Sequence, residues 1–168
     1  MMLFNYSDFS ESYLNSNFAP LYHLTTIYGL IEIINSNILK MSEFDNIYQG
    51  KNIKMISFTR NKNINLDYYK PFLDIIIELD TNKLKKKYKI FKYDFFIHCK
   101  KEDKPKSNID RKEPFEFEES ILSDIDNILD YIISIDFSND SLLDRSIAVL
   151  IPILKNKKII IYNNGKEY

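Results

Sequence analysis

The stretch FLDIIIELD, residues 72–80, is the strongest strand signal in the chain. It is a continuous apolar run rich in β-branched side chains, a pattern typical of a strand buried inside a sheet. We therefore predict that it forms a central strand. The other predicted strands are short, and they follow one another more often than they alternate with helices. This order favours an α+β fold with a largely antiparallel sheet and flanking helices over a doubly wound parallel one.

Upstream of this strand, LYHLT at residues 21–25 predicts a strand, and Thr25 or Thr26 then caps a helix. The helix is indicated by apolar residues at helical spacing, namely Ile27, Leu30, Ile31, Ile34 and Ile38. Before the central strand, the other predicted elements are a strand at 38–41, a polar turn-like segment at 42–53, a strand at 54–61 and a loop at 62–72. After it, they are a short basic helix or turn at 81–88, strands at 89–99 and 115–125 around a charged loop at 100–113, a short helix and a strand within 127–137, a helix at 138–155 and a closing strand at 157–164. The sequence contains neither an internal repeat nor a linker, so we predict a single domain over residues 1–168.

The bulk composition excludes several classes of protein. The chain has 168 residues, a formal net charge of −1 and 45% hydrophobic residues, so it can bury a substantial core and has no overall charge that directs it to nucleic acid. The single cysteine, Cys99, excludes an internal disulfide framework and a cysteine-rich zinc site. Three glycines are too few for a glycine-rich phosphate loop. The sequence has no signal-peptide pattern and no apolar run of about 18 residues, so we expect a cytoplasmic protein without a membrane partner.

Charge is distributed unevenly along the chain. Residues 82–112 contain twelve lysines and arginines against four acids, a local charge of +8. Residues 113–147 contain ten acids against one arginine, a local charge of −9. Both segments could be ordinary solvated surfaces. Alternatively, the two segments could form a basic edge beside an acidic one, and together these could bind an anionic ligand.

Two patches carry histidine and hydroxyl side chains suited to binding. Alternation along the first predicted strand places His23 and Thr25 on one face. In ISFTRN, residues 56–61, Ser57 and Thr59 share one face and Arg60 follows directly. Each patch also has a structural interpretation, in which the histidine is a satisfied core residue and the hydroxyls bond to neighbouring backbone.

A third patch, EFEES at residues 116–120, concentrates negative charge. Alternation places Glu116 and Glu118 on one face of the strand and Glu119 on the other. Three carboxylates within four residues repel one another, so we expect a partner to hold at least one of them. The structural alternative is a solvated edge strand that uses its charge against aggregation. The sequence contains neither a nucleophile elbow nor the spacing of a zinc site, so a plain hydrolase is not indicated.

Taken in order, the three patches resemble motifs of the ADP-ribosyltransferase fold. LYHLTTIYGLIEIINSNILKMS, which begins at Leu21, resembles the opening strand and helix of the histidine-type branch. ISFTRN resembles the second motif, which carries Ser-Thr-Ser or an aromatic equivalent. FEFEES, residues 115–120, resembles the strand that bears the catalytic glutamate, often within Glu-x-Glu. The resemblance covers about residues 21–137, extends to small phage and other viral proteins labelled as ADP-ribosyltransferases, and implies a split, largely antiparallel sheet. Residues 138–168 lie outside it and would add a helix and a strand.

The resemblance implies binding roles for residues of the first two patches. His23 would contact the adenosine ribose of NAD, and Thr25 would form a hydrogen bond nearby. Ser57 and Thr59 would brace the catalytic carboxylate and the NAD ribose. The chemistry of a guanidinium adds a role for Arg60 near the pyrophosphate, which such a group binds in bidentate fashion.

The resemblance also implies the catalytic group and the wall of the nicotinamide site. Glu118 or Glu119 would be the catalytic carboxylate, with a slight preference for Glu119. A carboxylate near the ribose stabilises the oxocarbenium-like state in which the bond to nicotinamide breaks. Tyr28 is a candidate for the aromatic wall, and the others are Phe58, Tyr68 and Tyr69. The reaction uses NAD as a substrate and needs no metal.

These expectations lead to three alternative functions. The first is a viral mono-ADP-ribosyltransferase that modifies a host protein or nucleic acid in the host cytoplasm, with the basic segment 82–112 as a docking surface. The second is a catalytically inactive protein that keeps the fold and binds a partner, for example in a virion. The third is an NAD glycohydrolase, in which water replaces the acceptor.

Overall fold

The structure is a computed structural model that describes residues 10–11, 20–48, 51–60, 62, 75–92, 119–137 and 145–168. Its elements, in chain order, are β1 (Ser10–Glu11), β2 (Leu21–Thr25), α1 (Ile27–Ser36), β3 (Ile38–Leu39), β4 (Ser42–Tyr48), β5 (Lys51–Phe58), β6 (Ile75–Leu79), α2 (Thr81–Lys85), β7 (Phe91–Lys92), β8 (Glu119–Ile121), β9 (Ile125–Asp126), a 3₁₀ helix (Ile128–Asp130), β10 (Ile132–Phe137), α3 (Arg145–Ala148), α4 (Ile151–Asn156), β11 (Ile160–Asn163) and β12 (Lys166–Glu167). Strand pairing is mainly antiparallel, so the predicted α+β class is confirmed.

The strand predicted to be central, β6, lies inside a five-stranded sheet with the order β12-β11-β10-β6-β2. It pairs antiparallel with β2 on one side and with β10 on the other. Its side chains alternate, because Ile75, Ile77 and Leu79 are at most 1% exposed whereas Ile76 and Glu78 are half-buried. One face of β6 therefore builds the core, and the other face is partly open.

The C-terminal part of the chain completes this sheet through a crossover. Strands β10 and β11 are parallel, and parallel neighbours need a long connection, which here contains α3 and α4. The sequence predicts a single helix at 138–155. Within the described residues this prediction is wrong, because a turn at 149–150 separates α3 from α4. Residues 138–144 of that prediction lie outside the described residues. The predicted closing strand is confirmed as β11, and β12 adds an antiparallel edge that the sequence analysis missed.

A second five-stranded sheet has the order β1-β7-β8-β5-β4. The polar segment 42–53, predicted as a turn, instead forms β4 and the first part of β5, which pair as an antiparallel hairpin. The prediction failed because β4 is rich in Ser, Glu, Asp and Asn, residues that strands usually disfavour. Main-chain pairing with β5 overrides that local preference.

The two sheets meet where β2 passes β5. The Tyr22 and Thr59 main chains form an isolated antiparallel bridge, in which each N–H donates to the other residue's carbonyl at 2.9 Å. Strand β2 is the edge of the first sheet, and β5 lies between β8 and β4 in the second. The first and second sequence patches are thereby brought side by side.

Helix α1 begins and ends as its sequence dictates. Thr26 is the N-cap and accepts a hydrogen bond from the Gly29 N–H at 3.1 Å, which satisfies one of the free donors of the first turn. Asn37 ends the helix in the left-handed conformation, with φ of 55°. The predicted apolar stripe is confirmed at Leu30 and Ile34, but Ile38 belongs to β3. Among the described residues, no helix is long and apolar enough to cross a membrane.

Candidate functional site

His23 lies on β2 and bonds directly to β5. Its Nδ1 lies 3.0 Å from the Ser57 carbonyl oxygen. Because a carbonyl can only accept, Nδ1 carries the proton and donates it. The ring also packs at a tilt against Phe58, with 5.8 Å between ring centroids. Burial lowers the pKa of His23, and this effect outweighs the opposing hydrogen bond to Ser57, so the imidazole is held neutral.

Strand register brings Glu119 close to Arg60. Glu119 on β8 pairs with Phe58, the last residue of β5, and Arg60 follows two residues after Phe58. Arg60 therefore lies just beyond the end of β5, within reach of Glu119. Two residues separated by 59 positions in sequence thus come into contact.

The Arg60 and Glu119 side chains form a buried ion pair. Arg60 Nη2 donates to Glu119 Oε2 at 2.6 Å, and Nε donates to the same oxygen at 3.1 Å. Arg60 Nη1 also donates to Thr81 Oγ1 at 3.2 Å. Only 6% of the Arg60 side chain and 1% of the Glu119 side chain are exposed. The predicted partner for a glutamate of the third patch is therefore present, and it is the arginine of the second patch.

The predicted threonine and serine residues lie on β2 and on or directly after β5. Thr59 is 4% exposed and follows β5 at the bridge to β2, while Ser57 is half-buried. Thr25 is 8% exposed at the end of β2. Its hydroxyl fills the space beside α1, where a Cβ on Gly29 would lie 2.2 Å from Thr25 Oγ1.

The predicted aromatic residues differ in exposure, and several predicted residues lie outside the described residues. Tyr28 is on the first turn of α1 and is 83% exposed, so its ring is largely in solvent in this structure. Phe58 is 2% exposed and belongs to the core. The remaining predicted members lie outside the described residues, namely Glu116, Glu118, Tyr68 and Tyr69.

Two contacts of the site were not predicted from the sequence. Thr81 at the start of α2 accepts a hydrogen bond from Arg60, although its position after Asp80 indicated only a helix start. Ser120, which pairs with Ser57, is fully buried and donates to Met55 Sδ at 3.1 Å. Both contacts join residues that are distant in sequence, and a local pattern does not identify such partners.

The opposite face of the first sheet carries a separate polar group. Ser134 Oγ donates to Glu78 Oε2 at 2.6 Å, and Tyr22 pairs with Glu78 across the sheet. Burial and then the negative charge of Glu78 raise the pKa of Tyr22. Because Tyr22 and His23 are adjacent on β2, their side chains point to opposite faces. This group is therefore distinct from the site at the junction.

The junction assembles five of the eight predicted site residues through described contacts, namely His23, Ser57, Thr59, Arg60 and Glu119. It brings together a neutral imidazole, the main chains of Ser57 and Thr59, and one carboxylate next to a guanidinium. Among the described residues, no group of His, Cys, Asp and Glu side chains could hold a metal ion. No protein-family model matches the chain, and no curated protein sequence matches it.

Proposed function

We propose that the chain is an NAD-dependent mono-ADP-ribosyltransferase of viral origin. The observation that carries the proposal is the convergence of the three motif patches at the β2–β5–β8 junction. Strand β2 brings His23 to the Ser57 carbonyl, and β8 brings Glu119 to Arg60. The patches that resemble the family motifs are dispersed over about 100 residues of sequence, and they meet in one place.

In this proposal, Glu119 stabilises the transition state, and Arg60 controls when the Glu119 carboxylate is released for that role. The bond from ribose C1′ to the nicotinamide nitrogen breaks, and its electron pair leaves with nicotinamide. The acceptor's lone pair then bonds to C1′ as the acceptor loses a proton. A carboxylate beside C1′ stabilises the positive charge that develops there. When NAD binds, Arg60 releases Glu119 and binds the pyrophosphate instead. Both groups are anions that a guanidinium binds in bidentate fashion.

His23, Thr25, Ser57 and Thr59 position NAD in this proposal. The neutral His23 ring already donates through Nδ1, so Nε2 remains an acceptor for a ribose hydroxyl. Tyr28 and the described hydroxyls would complete the binding surface around the cofactor. The acceptor is a host protein or nucleic acid in the host cytoplasm.

A second candidate function is favoured by the burial of Glu119. A carboxylate that is 1% exposed and paired with arginine meets the requirements of a structural ion pair. An inactive protein that keeps the fold and binds a partner would have such a pair. An NAD glycohydrolase would share the site with the transferase and differ only in using water as the acceptor.

Nicotinamide release from NAD by the purified protein tests the proposal. Wild type is compared with Glu119→Gln, Glu118→Gln and the matched control Glu32→Gln, which removes an exposed carboxylate from α1. We expect Glu119→Gln to lower the release rate about 100-fold or more, as loss of a transition-state group does. Glu32→Gln should leave the rate unchanged. Thermal melts of each variant separate loss of activity from loss of folding.

The outcomes distinguish the three functions. Release that needs both a glutamate of the 116–120 patch and added cell lysate supports the transferase. Release at full rate without lysate supports the glycohydrolase. Full activity in both Glu118→Gln and Glu119→Gln refutes the catalytic assignment. A folded wild type that neither binds NAD nor releases nicotinamide favours the inactive binding protein.

A further inference from the structure

Two lysine-rich segments that are distant in sequence lie side by side on the surface. The first spans α2 and the turn after it, and the second is the end of α4. Together they form what we call the lysine surface, defined by Lys83, Lys85, Lys86, Lys87, Lys89, Lys155, Lys157 and Lys158. Neither segment contains an acidic residue.

Asp130 joins the two segments. Lys157 Nζ lies 3.0 Å from Asp130 Oδ1, and Lys83 Nζ donates to the Asp130 main-chain oxygen at 3.3 Å. The Asp130 side chain is 61% exposed, so this junction lies at the surface. The basic region seen in the sequence at 82–112 is therefore extended in space by lysines that lie far along the chain from α2.

Most of this positive charge is directed to solvent. Within the described part of the chain, Lys86, Lys89 and Lys158 are exposed and take part in no ion pair. Lys87 lies over the Tyr88 ring at 5.2 Å from its centroid, and Lys155 lies over the Tyr168 ring at 5.3 Å. Rings attract a cation without neutralising it, so both lysines keep their charge.

We propose that the lysine surface binds the sugar–phosphate backbone of a nucleic acid. A nucleic acid strand presents one phosphate about every 3.4 Å along its axis, and a row of lysines meets such a polyanion without requiring any one geometry. The surface contains lysines only, which act as point charges on phosphates. Arginine, the residue suited to bidentate pairs with protein carboxylates, is absent from both segments. The composition therefore favours phosphates over an acidic protein partner.

This inference does not depend on the proposed NAD chemistry. The net charge of the chain is −1, so binding must come from this local concentration of charge and not from the molecule as a whole. Binding of this kind reads the backbone and not the sequence of bases. If the transferase proposal is also correct, the lysine surface would hold a nucleic acid acceptor.

Fluorescence anisotropy with a labelled DNA duplex of about 16 base pairs, in the absence of NAD, tests the inference. We compare wild type with Lys86→Gln/Lys158→Gln, which takes one exposed lysine from each segment. The matched control is Lys40→Gln/Lys54→Gln, which removes the same charge from the β3–β4 connection and β5. We expect the test variant to bind about tenfold more weakly or worse at about 0.1 M salt, and its salt slope to fall by about 2, since each phosphate partner removed lowers the slope by about 1. The control should match wild type.

Asp130→Asn provides a second test, because the expected result is tighter binding, which misfolding of the variant would not produce. It removes the carboxylate that Lys157 binds and leaves the main-chain oxygen that Lys83 binds. We expect tighter duplex binding and a steeper salt slope, because one lysine is released to the phosphates and one repulsive charge is removed. Unchanged or weaker binding by Asp130→Asn would overturn the inference.

Two further results would also overturn it. One is an equal loss of affinity in the test and control variants, which would mean that only total charge matters. The other is displacement of the duplex by polyglutamate at the same concentration of negative charge, which would assign the surface to an acidic protein. Failure of the NAD assay does not affect any of these results, so the two proposals can fail separately.

Discussion

The charged side chains of Arg60 and Glu119 at the candidate site are in direct contact. Two of the hydrogen bonds from the guanidinium converge on one carboxylate oxygen, and both side chains are almost fully buried. Removing two charges from water is costly, and their attraction offsets that cost only while both are present. The pair therefore makes each residue strongly dependent on the other.

This dependence predicts non-additive stability. Arg60→Met or Glu119→Leu alone should lower the free energy of unfolding by about 3–5 kcal/mol, because each removes one partner of a buried ion pair. The double variant Arg60→Met/Glu119→Leu should recover most of that loss. Urea denaturation measures all three against Glu32→Gln, which breaks the exposed Lys40–Glu32 pair and should cost less than about 1 kcal/mol. Additive losses in the double variant would contradict the interpretation.

His23 predicts how stability depends on pH. Burial lowers its folded pKa below the ordinary value of 6.5, so the unfolded chain binds the proton more readily. The contribution of neutral His23 is present above pH 6.5 and is lost as the pH falls from 6.5 toward the folded pKa. In that window the slope approaches about 1.4 kcal/mol per pH unit for one proton.

Urea denaturation between about pH 5 and pH 8 checks this sign. Wild type should become more stable as the pH rises through this window, and His23→Gln should flatten that part of the profile. A wild-type profile with the opposite slope would contradict the assignment of His23 as a neutral imidazole with a lowered pKa. His98→Gln is the matched control, since it removes the other histidine of the chain.

At the scale of elements, β2 and α1 constrain each other through Thr25 and Gly29. An alanine usually stabilises a helix relative to glycine by about 1 kcal/mol. At position 29 the new Cβ would lie 2.2 Å from Thr25 Oγ1, and Thr25 is a buried, stiff β-branched residue. The packing of strand against helix therefore reverses the usual preference.

We expect Gly29→Ala to lower the free energy of unfolding, by about 1–3 kcal/mol as overpacking does. Adding Thr25→Ala should restore part of the loss, because it removes the atom that the new methyl group meets. Thermal or urea denaturation of the two variants, with Thr25→Ala alone as the control, checks this coupling. A more stable Gly29→Ala variant would show that the helix moves away from β2 without cost.

Elements with a strong local pattern could be predicted, and elements defined by pairing could not. The N-cap at Thr26 and the apolar run of β6 carry their own signals, and both are confirmed. Strand β4 carries polar residues and becomes a strand only because β5 lies beside it. The predicted helix 138–155 contains Pro152, and the structure divides the region into α3 before it and α4, where Pro152 lies in the first turn.

At the scale of the whole molecule, the α+β class followed from the order of elements, but the arrangement of two sheets did not. The Tyr22–Thr59 bridge and the Arg60–Glu119 contact join residues 37 and 59 positions apart. Local periodicity cannot encode which distant strands pair, so the sequence identified the candidate residues without identifying their partners. The lysine surface is a similar case, because Asp130 links its second segment to the first.

The parallel pairing of β10 with β11 has a consequence for the order in which the nascent chain can fold. Strand β10 is flanked by β6, more than 50 residues earlier, and by β11, more than 20 residues later. During synthesis, β10 leaves the ribosome before β11, so one side of it is an open sheet edge for that interval. Open edges are templates for pairing with other chains. Cotranslational aggregation would therefore depend on how quickly the crossover brings β11 to cover that edge.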